Sequence, residues 1–250
     1  MSLRRIRADN PGPFTLDGSV TYILGRDDVV ILDPGPDVDS HIRALVRAVA
    51  EAERITVVLT HGHGDHAGGM NALLAAFEAL GRAPADRVGA GHPTVRPVAE
   101  AEPIPFDGGH LEVVPTPGHT RDHLAWYWPQ RRALFAGDHL LGVGDTTWVG
   151  EYPGCVADYL ASLDRLRTLD LDVVHPGHGP DLHDPADALD RFERHRRDRI
   201  EQVRTLREGP DRLRGEALYD RVYGGRVPPG LDGAARASLA VIEEYLDATA

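Results

Sequence analysis

Lysine is absent from this chain of 250 residues, and all 27 of its cationic side chains are arginine. Cysteine is nearly absent as well. Cys155 stands alone, which excludes an internal disulfide framework. No apolar run approaches the roughly 20 residues that a membrane-spanning helix needs. The opening MSLRRIRADNPGPF is basic but has no apolar stretch behind it, so it does not read as a secretion signal. Together these absences point to a cytoplasmic protein that engages no membrane. The net charge of −12 disfavours general binding to nucleic acid, while leaving room for a local basic patch. The exclusive use of arginine reads as codon bias.

What is present is a chain with 42% hydrophobic residues, enough for one large domain or two unequal ones. VTYIL and VVILD flank GRDD and predict a hairpin. SHIRALVRAVAEAE, at 40–53, places apolar residues at helical spacing. ITVVLT reads as a buried strand and MNALLAAFEALG as a helix stopped by Gly81. Further strands are predicted at LEVVPT, HLAWYW, ALFAG and DVVHP, with VADYLASLDRLRTL as an amphipathic helix between the last two. From about residue 186 the composition changes. A long charged helix, a segment interrupted by Gly and Pro, and a final helix GAARASLAVIEEYLD follow, without strand candidates. The chain therefore divides into a region 1–185 carrying the strands and a helical region 186–250.

The chemistry concentrates in THGHGDHAGG, residues 60–69. His61 and His63 are two apart, so an extended backbone aims both to one side. Asp65 and His66 come where the chain turns into the next helix and can address a second point. His119, Asp138 and His178 each sit just beyond a short apolar run, where a sheet can project them into one site. Imidazole and carboxylate together suit zinc, and also iron or manganese. Five histidines and two aspartates exceed the needs of one tetrahedral ion, whereas two ions sharing a carboxylate use all seven.

THGHGDHAGG, TPGHT, FAGDHLL and PGHGP, in this order, resemble the successive motifs of the metallo-β-lactamase superfamily over residues 15 to 185. The resemblance implies an α/β fold, a four-layer αββα sandwich of two mixed sheets with a two-metal site at one edge. By the same resemblance His61, His63 and His119 would hold one ion, Asp65, His66 and His178 the other, and Asp138 would bridge them. Asp33 matches a position that supports the site from behind, or forms a turn before Pro34. The antibiotic-degrading subclass with a cysteine ligand has it where Asp138 stands, so Cys155 reads as a buried or loop thiol. The flavodiiron branch has a glutamate where His63 stands. GDHLLG, DYLASLDRL and HRRDRIEQV resemble the lactamase-beta-like branch, some members of which cleave single-stranded RNA with a C-terminal region like a winged helix. This chain ends without the strand pair of a wing.

The expectation is a hydrolase in which a hydroxide between two divalent ions, zinc foremost, attacks a small ester, thioester, lactone or related acyl substrate. Asp65 would ligate and orient the nucleophile. His139, Trp148 and Tyr152 are candidate substrate contacts, and His123 is a further histidine near the motifs. The alternatives are a single-stranded-RNA endoribonuclease, a mononuclear iron oxygenase and a non-catalytic metal-binding protein. RNA is the less favoured partner. The charged helix interleaves Arg191, Arg194, Arg196, Arg197, Arg199, Arg204 and Arg207 with acids three or four residues away, which reads as a self-paired, solvated face. That helix is expected to pack near the rim of the site and limit substrate size. Oligomeric state is left open.

Overall fold

The run Val-Thr-Tyr-Ile-Leu is buried at every position in the computed structural model of the chain, which describes residues 2–99 and 101–249. It forms β2 (Val20–Leu24), and its side chains alternate. Val20, Tyr22 and Leu24 enter one apolar cluster, while Ile23 enters another on the opposite face. A strand covered on both sides belongs inside a layered fold.

β2 lies in a five-stranded sheet between β1 (Leu3–Arg7) and β3 (Asp28–Leu32), followed by β4 (Arg54–Val58) and β5 (Asp86–Val88). β2 runs antiparallel to both β1 and β3, and β3, β4 and β5 run parallel. The second sheet holds β6 (Ile104–Phe106), β7 (Gly109–Pro115), β8 (Leu124–Trp128), β9 (Ala133–Gly137) and β10 (Val173–Pro176). Here only β9 and β10 are parallel.

Three apolar clusters stack these elements into layers. Between the sheets, Tyr22, Leu32 and Val58 pack with Trp126, Trp128 and Phe135. Outside the first sheet, Ile31 and Val57 meet Leu45 of α1 (Asp39–Ala48) and Leu73 and Phe77 of α3 (Met70–Ala79). Outside the second, Leu134 and Val174 meet Tyr159 and Leu163 of α4 (Cys155–Leu166). The same cluster continues into Phe192 of α5 (Pro185–Glu208), Leu218 of α6 (Gly215–Tyr223) and Ile242 of α7 (Asp232–Ala248). The architecture is the expected αββα sandwich, with a helical C-terminal region and no wing among the described residues. No described helix is long and apolar enough to cross a membrane.

Several elements differ from expectation, the short β5 and β6 among them. α1 stops at Ala48 instead of running to residue 53, because the Arg82 guanidinium donates to the carbonyls of Val49, Ala50 and Ala52 and so terminates the helix with a cation. β1 forms from the basic opening segment. Its exposed arginines leave Ile6 to pack inward, and charge along an edge strand discourages further pairing. α6 forms within the Gly/Pro-interrupted segment, burying Leu218, Tyr219 and Val222 on one face. α5 starts at an Asp184 cap, which accepts from the Asp187 N–H at 3.0 Å, with Pro185 in the first turn.

Phe192 is 1% exposed within the cluster that joins the tail to the sandwich. Replacing it with alanine is expected to cost about 3–5 kcal/mol in urea denaturation. Wild type should unfold in one transition, with circular dichroism and tryptophan fluorescence coincident. Two separated transitions would mean that the tail unfolds by itself.

Candidate metal centre

The histidines and aspartates lie in loops that leave the C-terminal ends of β4, β7, β9 and β10. His63 has extended φ/ψ and precedes the short helix α2 (Gly64–Ala67), which carries Asp65 and His66. Two groups of ligand-type atoms result, His61 with His63 and His119, and Asp65 with His66, Asp138 and His178. Within each group the atoms lie within 4.8 Å of one another. Asp138 faces both groups. Its Oδ1 lies 3.2 Å from His66 Nε2 and 3.3 Å from His178 Nε2, and its Oδ2 lies 3.6 Å from His119 Nε2.

Whether these groups fit cations can be judged from the protons. The Thr60 hydroxyl donates to Asp33 Oδ2 at 2.7 Å, so it accepts from His61 Nδ1 at 3.0 Å. His119 Nδ1 donates to the Trp148 carbonyl at 2.9 Å. His66 Nδ1 donates to Asp33 Oδ2 at 2.9 Å, and His178 Nδ1 faces the Gly18 carbonyl at 3.4 Å. His63 is reversed, its Nε2 lying 3.4 Å from Glu151 Oε1. In each neutral imidazole the outward nitrogen thus carries the hydrogen and the inward one presents a lone pair. Those inward nitrogens meet at 3.0 Å between His61 and His63, 3.0 Å between His119 and His63, and 3.2 Å between His66 and His178. Lone pairs directed at one another have no use for a proton apiece, but each suits a divalent cation. Asp138 Oδ1 is buried without a hydrogen-bond partner, which fits the same purpose. The residues present fit divalent metal.

The electrostatics differ between the groups. Burial, reinforced by neighbouring histidines, holds the His61 pKa well below its usual value, and burial brings His119 down to about 4. Burial also opposes charge on His66 and His178, but Asp138 and the carboxylates beside it win. They hold His66 well above the usual value and lift His178 to about 9. Asp138 resists the upward push of burial because His66 and His178 hold it well below the carboxylate range. Glycine is required next to these groups. A Cβ at Gly177 would stand 2.6 Å from His66 Cε1 and 2.8 Å from Asp138 Oδ1. Gly137 has φ +49° and no room beside His123 and Thr60.

Both groups open into a mostly apolar cavity of about 900 Å³. His63, Asp65, His119 and Asp138 form one end, and the other is closed by α5, α6 and α7. The charged helix packs at the rim of the site as expected. Trp148 lines the cavity, stacked near His63 at 6.2 Å between rings, and its indole N–H reaches the Ala234 carbonyl at 3.2 Å. The other two candidate substrate contacts lie elsewhere, which corrects the reading of them. His139 is fully buried against the Tyr159 ring at 4.5 Å, and Tyr152 packs in the core with its hydroxyl on Asp158 at 2.8 Å. Neither lines the cavity. His123 is buried too, accepting the Asp138 backbone N–H at 3.2 Å, so it positions that residue. Cys155 is buried at the start of α4, away from the site. Arg196 also departs from expectation. It faces inward and is 4% exposed, whereas Arg191, Arg197 and Arg204 pair with Asp187, Glu193 and Glu201 along the helix. The parts of Glu151, the Thr60 hydroxyl and the Trp148 carbonyl in holding the outward nitrogens were not anticipated, since they depend on contacts that only the fold creates.

Comparison with known proteins agrees with this geometry. The family model of the metallo-beta-lactamase superfamily matches residues 14–178. A beta-lactamase-like protein 2 homolog of Caenorhabditis elegans is 30% identical over 230 residues, covering 89% of this chain and 76% of that protein. An atrochrysone carboxyl ACP thioesterase of Aspergillus fumigatus is 33% identical over 178 residues, covering 70% of this chain and 55% of that protein. Among solved structures, a beta-lactamase domain protein from Burkholderia ambifaria superposes with a TM-score of 0.80 at 22% identity, over 99% of this chain and 87% of that one. The fold, the metal-type side chains at the strand ends and the match over most of its length place this chain in the metallo-β-lactamase superfamily, as a hydrolase of that fold.

Proposed function

We propose that the protein is a binuclear metal-dependent hydrolase of a small acyl substrate, an ester, thioester or lactone, with thioesters foremost. The observation that carries this reading is the position of Asp138, whose two oxygens face the two groups of imidazole nitrogens. His61, His63 and His119 would hold one ion, Asp65, His66 and His178 the other, with Asp138 between them. Zinc is the proposed metal, and iron and manganese suit the same donors. When bound, the ions supply Lewis acidity to the acyl oxygen and acidify water at neutral pH.

The chain's own residues do the rest. Asp65 is the more open of the two carboxylates, 24% exposed at the cavity, and lies 3.0 Å from His178 Nε2. Burial pushes its pKa up, but His178 and His66 beside it outweigh this and keep it ionised, able to orient water. Asp33 accepts from the Thr60 N–H, the Thr60 hydroxyl and His66 Nδ1, and thereby fixes the His66 ring. Trp148 and the apolar cavity wall exclude solvent from the acyl chain. The thioesterase among the relatives supports an acyl substrate, and so does the cavity. The paired arginines along α5 speak against a phosphodiester track. A cytoplasmic setting belongs to the same proposal.

Protein purified without chelator is expected to carry about two divalent ions per chain by elemental analysis. One ion per chain, reproducibly iron, would overturn the binuclear reading.

Asp138→Asn nearly keeps the shape of the carboxylate but loses its charge between the two groups. It is expected to lower kcat/KM about a hundredfold or more, some 2.7 kcal/mol, with the circular dichroism spectrum unchanged. A variant that retains two ions and the wild-type rate removes Asp138 from the bridging role.

The reading as a whole is tested by thiol release from a panel of short acyl thioesters, run beside lactones and single-stranded RNA. Thioester turnover abolished by chelator and restored by zinc is expected. Metal-dependent RNA cleavage without acyl turnover would favour the endoribonuclease instead.

A further inference from the structure

The cavity's charges are lopsided. Asp65 and Asp138 are the only acids that line it among the described residues, and both belong to the metal-type groups. The end formed by the C-terminal helices instead presents Arg196, Arg199 and Arg226, on a chain of net charge −12.

None of these three guanidiniums has a carboxylate within 4.0 Å among the described residues, although most other arginines of the tail do. Arg196 is the deepest. It donates from Nη2 to the Thr147 carbonyl at 3.0 Å and lies 5.4 Å from the Tyr159 ring centroid, while its buried Nε has no partner. Arg199, one turn on and half-buried, contacts the Val222 carbonyl at 3.5 Å and rests on the Tyr223 ring at 4.7 Å. Arg226 is exposed at the mouth and spends Nη2 on the Arg221 and Val222 carbonyls at 2.9 Å. Each guanidinium carries five donors, so most remain free. A buried cation without an anion is costly, and the structure meets that cost only with carbonyls and aromatic faces. Such a cost is offset when a ligand brings the missing charge, and arginine forks match carboxylate and phosphate oxygens in pairs.

We propose that the substrate carries an anionic group, a carboxylate or a phosphate, which Arg196, Arg199 and Arg226 receive while its acyl bond lies at the histidine end of the cavity. This rests on the acyl-hydrolase reading for what happens at the histidine end, but not for the anion itself. The cavity volume is within the range that encloses a whole small ligand. Neutral acyl compounds fill the apolar wall and leave the guanidiniums unmatched, so charge at the far end sets specificity.

The test reads binding without turnover, using uncleavable thioethers in matched pairs. One pair is S-butyl-N-acetylcysteamine and its carboxypropyl counterpart. The other is S-butyl-pantetheine and its phosphate ester. Calorimetry on the metal-loaded protein at low salt is expected to give at least one anionic member an affinity about tenfold above its neutral partner. In the Arg199→Gln/Arg226→Gln variant the preference should fall below about threefold. Arg199 is only partly buried and Arg226 is exposed, and circular dichroism confirms the variant's fold. Preference confined to one pair identifies carboxylate or phosphate as the recognised group. Equal affinities within both pairs overturn the inference, as does a preference that survives undiminished in the double variant. Anionic preference in a protein that cleaves no thioester, ester or lactone upholds the anion site and overturns the acyl-hydrolase reading.

Discussion

Imidazole nitrogens that meet at 3.0 Å with their lone pairs facing inward repel one another, and the rest of the molecule is arranged to hold them there. Each ring is pinned from behind by an acceptor. Thr60, Trp148, Asp33, Gly18 and Glu151 come from four different stretches of chain, Trp148 and Glu151 sharing one loop. Five rings free to rotate would turn away from each other or share protons. The outward hydrogen bonds remove that choice, at the expense of a cluster that is electrostatically unsatisfied without a cation.

The sandwich supplies the rigidity this needs. β4, β9 and β10 are buried strands, and their ends move only if the two sheets slide across the packed Trp126, Trp128 and Phe135. Gly137 and Gly177 then let the two strand-end loops approach closely, where a side chain at Gly177 would collide with His66 and Asp138 and one at Gly137 with His123 and Thr60. The Gly177 N–H donates to the Gly137 carbonyl at 2.8 Å, so the loops are joined through backbone where side chains have no room.

The strands and most helices were legible because both periodicities were clean, as in Val20, Tyr22 and Leu24 against Ile23. The histidines and aspartates were legible because they follow those strands in a dense, ordered set of motifs. Other features depend on contacts between distant residues and leave no local mark. Glu151 sits in a loop with no periodic signal, and only the fold carries it to His63. The alternating charges of α5 concealed that Arg196 faces inward, because a helix that pairs most of its arginines looks solvated all round. His139 was misread for a related reason. Adjacency to Asp138 in sequence suggested adjacency in space, but the chain turns after Gly137 and sends its ring to the Tyr159 side.

The loop that carries Trp148 is fastened to the C-terminal helices twice, by the indole on the Ala234 carbonyl and by the Ser238 hydroxyl on the Val149 carbonyl at 2.9 Å. His119 hangs on the same loop through the Trp148 carbonyl. Occupancy of the histidine cluster and docking of the tail are therefore thermodynamically linked, each favouring the other by the same amount. A chain whose tail peels away loses not only a cover but the fastening of the loop that anchors His119, so the helices farthest along the sequence take part in holding the cluster at its centre.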